Sequence, residues 1–347
     1  MTARDRLQVA AWLFACAALA FLVVLVGGIT RLTRSGLSIV EWQPLVGALP
    51  PLSPADWDAL FAKYRETPEF RQVNFNMTLE GFKRIFWWEY IHRLLARLIG
   101  LVFFLPYVYF LVKRKLDGAL AWKLGGIFLL GALQGAVGWY MVKSGLVDDP
   151  KVSPVRLTMH LGLALAIFSA ELWLAMQLLA PQRRFDGFAL VIPLIVFLMA
   201  LSGAMVAGLR AGYAYNTFPL MNGHIVPPEV MLLEPWWRNF VYNMATVQLV
   251  HRALFWALAV LVIIAWWRNR HGSAANALLA VFAVQASLGI ATLLTGVPVG
   301  LGSAHQGGAV LVLGAALWYA HSAVHRKTAG HAEHLTGDEV GVVAREK

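Results

Sequence analysis

The sequence predicts an all-α membrane protein: eight transmembrane helices forming two pseudo-symmetric four-helix bundles, with the N- and C-termini cytoplasmic. Three observations carry this expectation. Hydrophobic residues make up 59% of the 347 positions and charged residues only 14%, whereas a soluble domain carries about 25% charged residues. The apolar residues collect in eight runs, each near the roughly 20 residues that cross a bilayer core. The second half of the chain also repeats the plan of the first.

The runs can be taken in order. The first, 8–28, follows Arg4 and Arg6 as a secretory signal would, but it is too long for a signal h-region and ends in VGGITRL without a small-residue cleavage site. It therefore stays as the first helix. Phe14 also sits where a lipoprotein signal ending at Cys16 needs a small residue. Cys16 is the one cysteine, so no intramolecular disulfide forms. Runs at 88–112, 119–142 and 155–180 complete the first half, and those at 187–209, 245–267, 275–296 and 303–324 make the second. The segment SPADWDALFAKYRETPEF, 53–70, mixes charge with aromatic residues and reads as a surface helix forming a solvated cap. The polar tail from 326 onward, with His331 and His334, reads as a mobile end.

Orientation follows from lysine and arginine in the short loops. Arg4/Arg6, KRK at 113–115, RR at 183–184, Arg268/Arg270 and Arg326/Lys327 all fall on one side, which the positive-inside rule makes cytoplasmic. The segments at about 30–86, 143–154, 210–244 and 297–302 then lie outside, across the bacterial cytoplasmic membrane. The net charge of +10 partly reflects these scattered clusters. No soluble domain is large enough to present them to nucleic acid, so membrane lipid is the expected surrounding and nucleic acid is not a partner. A homo-oligomer is left open.

GGITRLTRSG at 27–36 resembles GAMVAGLRAG at 203–212, with Gly27, Arg34 and Gly36 answering Gly203, Arg210 and Gly212. QPL at 43–45 answers FPL at 218–220, and Pro50/Pro51 answer Pro227/Pro228. LQGAVG at 133–138 answers VQASLG at 284–289, aligning Gln134 with Gln285 and Gly138 with Gly289. Glycine-rich apolar helices can resemble one another by composition, but the matches share one order. An even number of helices per half gives both halves the same orientation, with a repeat axis along the membrane normal. The expected units are 1–182, with a long outer loop at about 30–86, then 183–325, then the tail at 326–347.

Four of the ten histidines occupy repeat-equivalent places, His92 and His160 in the first half and His251 and His305 in the second. Each opens an even-numbered helix on the outer side, so all four sit at similar depth. Gly162 and Gly307 follow two of them and would let a flat group approach the helix closely. A single intramembrane histidine is as well explained by an interhelical hydrogen bond. Four in register favour haem iron held from both sides by two histidines in each bundle. Zinc more often recruits carboxylates or cysteines, which are not repeated in both halves. His321 and His325 lie roughly 24 and 30 Å further along the last helix and belong to its cytoplasmic end.

Arg93 and Arg252 directly follow two of the histidines, while Arg31, Arg34 and Arg210 stand at the outer ends of the first and fifth helices. An arginine fork suits haem propionates; interfacial snorkelling explains each singly as well. Glu171 and Gln177, deeper in the fourth helix, receive no role. Glu89, three residues before His92, has Gln248 as its counterpart before His251. A carboxyl group near the hydrocarbon boundary costs roughly 1 to 3 kcal/mol unless it has a partner or a task.

The combination GGITRLTRSGLSIVEWQP, EYIHR, MHLG, VQLVHR and AHQ resembles the haem A synthase family, over nearly the whole chain to about residue 325. The resemblance implies oxidation of a ring methyl of haem O to a formyl group by successive hydroxylation, water being the proposed oxygen source. It further implies a haem b cofactor on His251 and His305, a substrate haem on His92 and His160, and Glu89 as the essential carboxylate. Haem O synthase and an unidentified electron donor are the implied partners. The outer-loop cysteine pairs that some members of the family carry are missing here, which argues against a thiol relay. One helical turn from a ligand, Glu89 could accept a proton from attacking water or stabilise developing positive charge. Competing readings are a di-haem electron-transfer cytochrome of the b type and a transporter built on parallel repeats.

Overall fold

The computed structural model describes residues 1–43, 46–147, 149–180 and 186–343, with side chains described to residue 323 in the last stretch. Pro44 and Leu45 of the first-half QPL, and the arginine pair at 183–184, lie outside the described residues. Eight helices are long and apolar enough to span a membrane: α1 Ala3–Leu32, α4 Leu79–Val112, α5 Gly118–Lys143, α6 Pro154–Leu179, α7 Gly187–Leu209, α9 Met244–Arg268, α10 Ser273–Leu294 and α11, whose apolar part is Val299–Ala323. Short helices α2 Pro54–Arg65, α3 Pro68–Gln72 and α8 Asn239–Tyr242 lie in the long connections. The described residues contain no strand, only an isolated bridge between Met221 and His224.

Local chemistry explains most helix starts. Thr2 and Asp5 form a capping box at α1, and Ser53 and Asp56 form another at α2, where Pro54 takes the first turn. Thr78, Asp117, Asp186 and Asn243 accept backbone N–H groups at the starts of α4, α5, α7 and α9. α4 and α7 run unbroken through Pro106 and Pro193.

Two sets of four helices pack alike. In the first, α1 lies against α4 and α6, and α5 against α4 and α6; in the second, α7 lies against α9 and α11, and α10 against α9 and α11. The sets meet through α6 on α7 and α1 on α11. They share a core: one buried cluster joins Ala17, Ala20 and Val24 of α1 and Leu165 and Phe168 of α6 to Ile192, Val262, Leu278 and Leu313 of the second set. Apolar faces that would otherwise meet lipid gain little by separating, since packing contacts rather than hydrophobicity hold helices together in a bilayer.

Three places differ from the sequence-level expectation. α4 begins at Leu79, well before 88, because Thr78 caps it and Phe82, Phe86 and Tyr90 form a stripe that packs on the cap. The 53–70 segment is two helices with a buried face: Trp57, Phe61 and Tyr64 lie against Phe82 and Phe86. Tyr64 is fully buried and Glu69 nearly so. The helix that carries the tail continues to Val343, where the sequence reading has a mobile end; the side chains of His331 and His334 lie outside the described residues.

Candidate functional site

The four repeat-equivalent histidines fall on α4, α6, α9 and α11, on the side of the long connections. His160 and His305 lie in the second turn of their helices and His251 at the start of the third, while His92 lies further along α4 because that helix starts early. Each ring rests on a glycine of a neighbouring helix. A methyl added at Gly27, Gly138, Gly203 or Gly289 would stand 2.8, 2.9, 3.2 or 2.7 Å from Cε1 of His92, His160, His251 or His305, respectively. Real Cβ contacts are rarely this short, so the glycines fix how closely each imidazole approaches the neighbouring backbone. Gly162 and Gly307, by contrast, face leucine side chains, Leu201 and Leu25, and no histidine ring.

Within each half the two histidines lie in electrostatic reach of each other, His92 with His160 and His251 with His305. The four rings are only partly buried, yet Nδ1 of His92, His160 and His305 is sealed from solvent without a side-chain hydrogen bond. The exposed part of these rings is therefore not the Nδ1 corner. His251 differs: its Nδ1 lies 2.8 Å from Ser202 Oγ. Gln134 donates to the His160 carbonyl at 3.0 Å, and Gln285 donates to the His305 carbonyl at 2.8 Å. The sequence aligned these glutamines and the seat glycines, but alignment alone did not reveal what they touch.

Glu89 is 2% exposed. Its Oε2 accepts from Ser38 Oγ at 2.7 Å and from the Ile39 N–H at 2.8 Å, and its Oε1 accepts from Arg93 Nε and Nη2 at 3.1 and 2.7 Å. Arg93 also donates to the Ile39 and Glu41 carbonyls, Arg97 to the Gln43 carbonyl, and the Tyr90 hydroxyl to the Ala48 carbonyl. One face of α4 thus holds Ser38, Ile39, Glu41, Gln43 and Ala48. In the second half, Gln248 donates to the Tyr215 carbonyl, and Arg252 donates to the carbonyls of Tyr215, Thr217, Pro219 and Leu220 at 2.8 to 3.2 Å.

The remaining arginines gather at the seam between the halves. Arg31 lies in the last turn of α1, and Arg34 and Arg210 both adopt left-handed φ, 53° and 56°, where α1 and α7 end. Arg210 is in electrostatic reach of Arg31, and both Arg34 and Arg210 are in reach of Glu69. Burial pushes the Glu69 carboxyl up to about 7; Glu89 adds to the rise, and the hydrogen bond from Tyr64 and the two arginines oppose it. Gln306, next to His305, links the halves by donating to the Val24 carbonyl at 2.8 Å, with its amide resting against Gly28. Glu171 is 1% exposed, and its Oε2 has no hydrogen-bond partner among the described residues.

The model of the COX15-CtaA family, described as cytochrome oxidase assembly protein, matches residues 10–317. A protein of Nitrosospira multiformis named Heme A synthase is 58% identical over 329 residues, covering 90% of this chain and 92% of the relative. Proteins with the same name from Nitrosomonas eutropha and Parvibaculum lavamentivorans are 50% and 47% identical, each matched over 93% of its own length and over 91% and 90% of this chain. With one family model and close relatives spanning both halves, all four histidine seats included, the chain belongs to the COX15-CtaA cytochrome oxidase assembly family.

Proposed function

We propose that the protein makes haem A from haem O for cytochrome oxidase, oxidising a ring methyl to a formyl group. The observation that carries this reading is the fourfold histidine seat: two imidazoles in each half, each backed by a glycine, with the Nδ1 corner sealed in three of them. Such a donor set fits iron held between paired neutral imidazoles. His251 and His305 would hold a haem b cofactor and His92 and His160 the substrate haem. Haem b, when bound, supplies reversible one-electron redox chemistry. The names of the close relatives support the same activity.

What the chain itself contributes is position and charge. Both Glu89 oxygens already accept hydrogen bonds, so taking up a proton would break one of them. The geometry therefore favours the electrostatic role: a fixed carboxylate beside the substrate half that stabilises positive charge developing at the oxidised carbon. Arg93 and Arg252 commit their forks to loop carbonyls, and Arg93 to Glu89 as well. Both then act as loop anchors, and Arg31, Arg34 and Arg210 are the arginines placed to meet propionates. The sites face the outer side of the cytoplasmic membrane, a reading that rests on the lysine and arginine pattern. Converting methyl to formyl with oxygen from water releases electrons, so the redox partner on this accounting accepts them; haem O synthase would deliver the substrate.

The test is to express the protein in cells that make haem O but no haem A, then extract the haems and identify them by chromatography and mass. Haem A should appear. Its absence, with two stoichiometric haem b, would replace this reading with a di-haem relay.

A further inference from the structure

Resting on the assignment of His251 to the cofactor haem, we propose that Ser202 is a positioning residue that fixes the tautomer and donor strength of this one ligand. Ser202 Oγ lies 2.7 Å from the Met199 carbonyl and 2.8 Å from His251 Nδ1. A hydroxyl has one proton. With that proton donated to the carbonyl, the oxygen can only accept from His251, so Nδ1 carries the imidazole hydrogen and Nε2 keeps its lone pair for iron. Ser202 is itself held in place, bonded to a carbonyl one turn back on its own helix.

The other three ligands lack this arrangement. Nδ1 of His92, His160 and His305 has no side-chain partner; these rings have only a backbone group near them, at Val23, Gln134 and Gln285, as His251 also has at Met199. Ser202 immediately precedes the seat glycine Gly203, and the matching position before Gly27 is Val26, which has no hydroxyl. The substrate-side ligand seated on the equivalent helix thus lacks the hydroxyl that the cofactor-side ligand receives in addition to its backbone neighbour. A substrate haem must arrive and leave, so a weaker and less oriented ligand suits it. A resident haem benefits from a ligand with its tautomer set and its basicity raised, which favours the oxidised iron and lowers the potential.

The experiment uses the full protein purified from cells lacking haem O, so that haem b on His251 and His305 dominates the spectrum. Potentiometric titration and low-temperature EPR are recorded for the unaltered protein, Ser202→Ala and Ser202→Thr. Ser202→Ala should raise the midpoint potential and shift the low-spin g-values, and Ser202→Thr should restore both. Haem loss in Ser202→Ala that Ser202→Thr rescues also supports the proposal. An unmoved potential with haem retained, or equal haem loss in both variants, overturns it. If the unaltered protein shows no bis-histidine haem signal, the assignment of the cofactor site fails instead, before the variants are compared.

Discussion

The two halves hold their long connections with the same helix positions, and the hydrogen-bond polarity reverses at one of them, Glu89 against Gln248, while Arg93 and Arg252 both donate to loop carbonyls. In the first half a carboxylate on α4 receives a hydroxyl and a backbone N–H from the loop, and the following arginine completes the charge. In the second half an amide on α9 gives its hydrogen to a loop carbonyl, and the arginine gives its hydrogens to four carbonyls. The repeat has kept the clasp and its arginine, and has exchanged donor for acceptor at the residue four positions before it. The difference between Glu89 and Gln248 then has two readings: the loop each must hold, and, under the proposed function, a fixed charge used by the substrate half alone. Experiments can separate the two explanations.

The largest effect is expected at Glu89. Glu89→Ala leaves Arg93 partly buried without its counter-ion and removes the acceptor of Ser38 and Ile39, a loss of about 3 to 5 kcal/mol for a broken buried pair. Glu89→Gln keeps the shape, should retain the haem of the second half, and should lower haem A formation by about 100-fold or more if fixed charge is required. Haem A measured per unit of retained haem b decides this; substantial product from Glu89→Gln would leave only the clasp. The exchange in the other half sharpens the contrast. Gln248→Glu sets a carboxylate against the Tyr215 carbonyl, with no donor replacing the lost one, and it should reduce haem b content without creating a second reactive site.

Next in size are the seat glycines. Alanine at Gly289 would place its methyl 2.7 Å from His305, whereas at Gly203 the distance to His251 is 3.2 Å. Overpacking of this kind costs about 1 to 3 kcal/mol. Gly289→Ala should therefore lose more haem b than Gly203→Ala, and Gly27→Ala and Gly138→Ala should impair substrate turnover with haem b intact. The haem-to-protein ratio from absorbance measures the order. Equal retention in all four variants would mean that the rings have room to move away and that the seats are not specific.

How much of this the sequence showed follows from what periodicity and spacing can report. Eight apolar runs and the repeated His92, His160, His251 and His305 were legible because membrane thickness and repeat register leave marks at fixed spacing. Gly27, Gly138, Gly203 and Gly289 were legible as aligned positions but not as seats, since which ring a glycine meets depends on helix pairing. The clasp was hidden for a similar reason. Arg93 and Arg252 look like free cations in a sequence, and the carbonyls that satisfy them lie in irregular backbone with no pattern of its own. The buried face of the 53–70 segment did leave a signal, with Trp57, Leu60, Phe61 and Tyr64 at helical spacing. Its mixed charge obscured that stripe.

The smallest effect, and the one most specific to one half, concerns pH. Only the first half carries the helical cap in which Glu69 is 5% exposed and hydrogen-bonded by the Tyr64 hydroxyl, itself bonded to Asn74. Burial raises the Glu69 carboxyl from 4.5 to about 7, so the folded cap holds its proton where the opened cap has released it. The cap is then most stable at low pH. It loses stability as pH rises from the unfolded value near 4.5, and the loss is complete above about 7. The whole change is roughly 3 kcal/mol at most. Hydrogen exchange of residues 54–72, corrected for intrinsic rates, should show growing cap opening between pH 5 and 8, while the 211–243 connection of the second half stays level. Glu69→Gln, neutral at every pH, should flatten the curve at its low-pH end. If both connections respond alike, or the substituted cap keeps the pH slope, burial of this carboxyl is not what separates the two halves on their loop side.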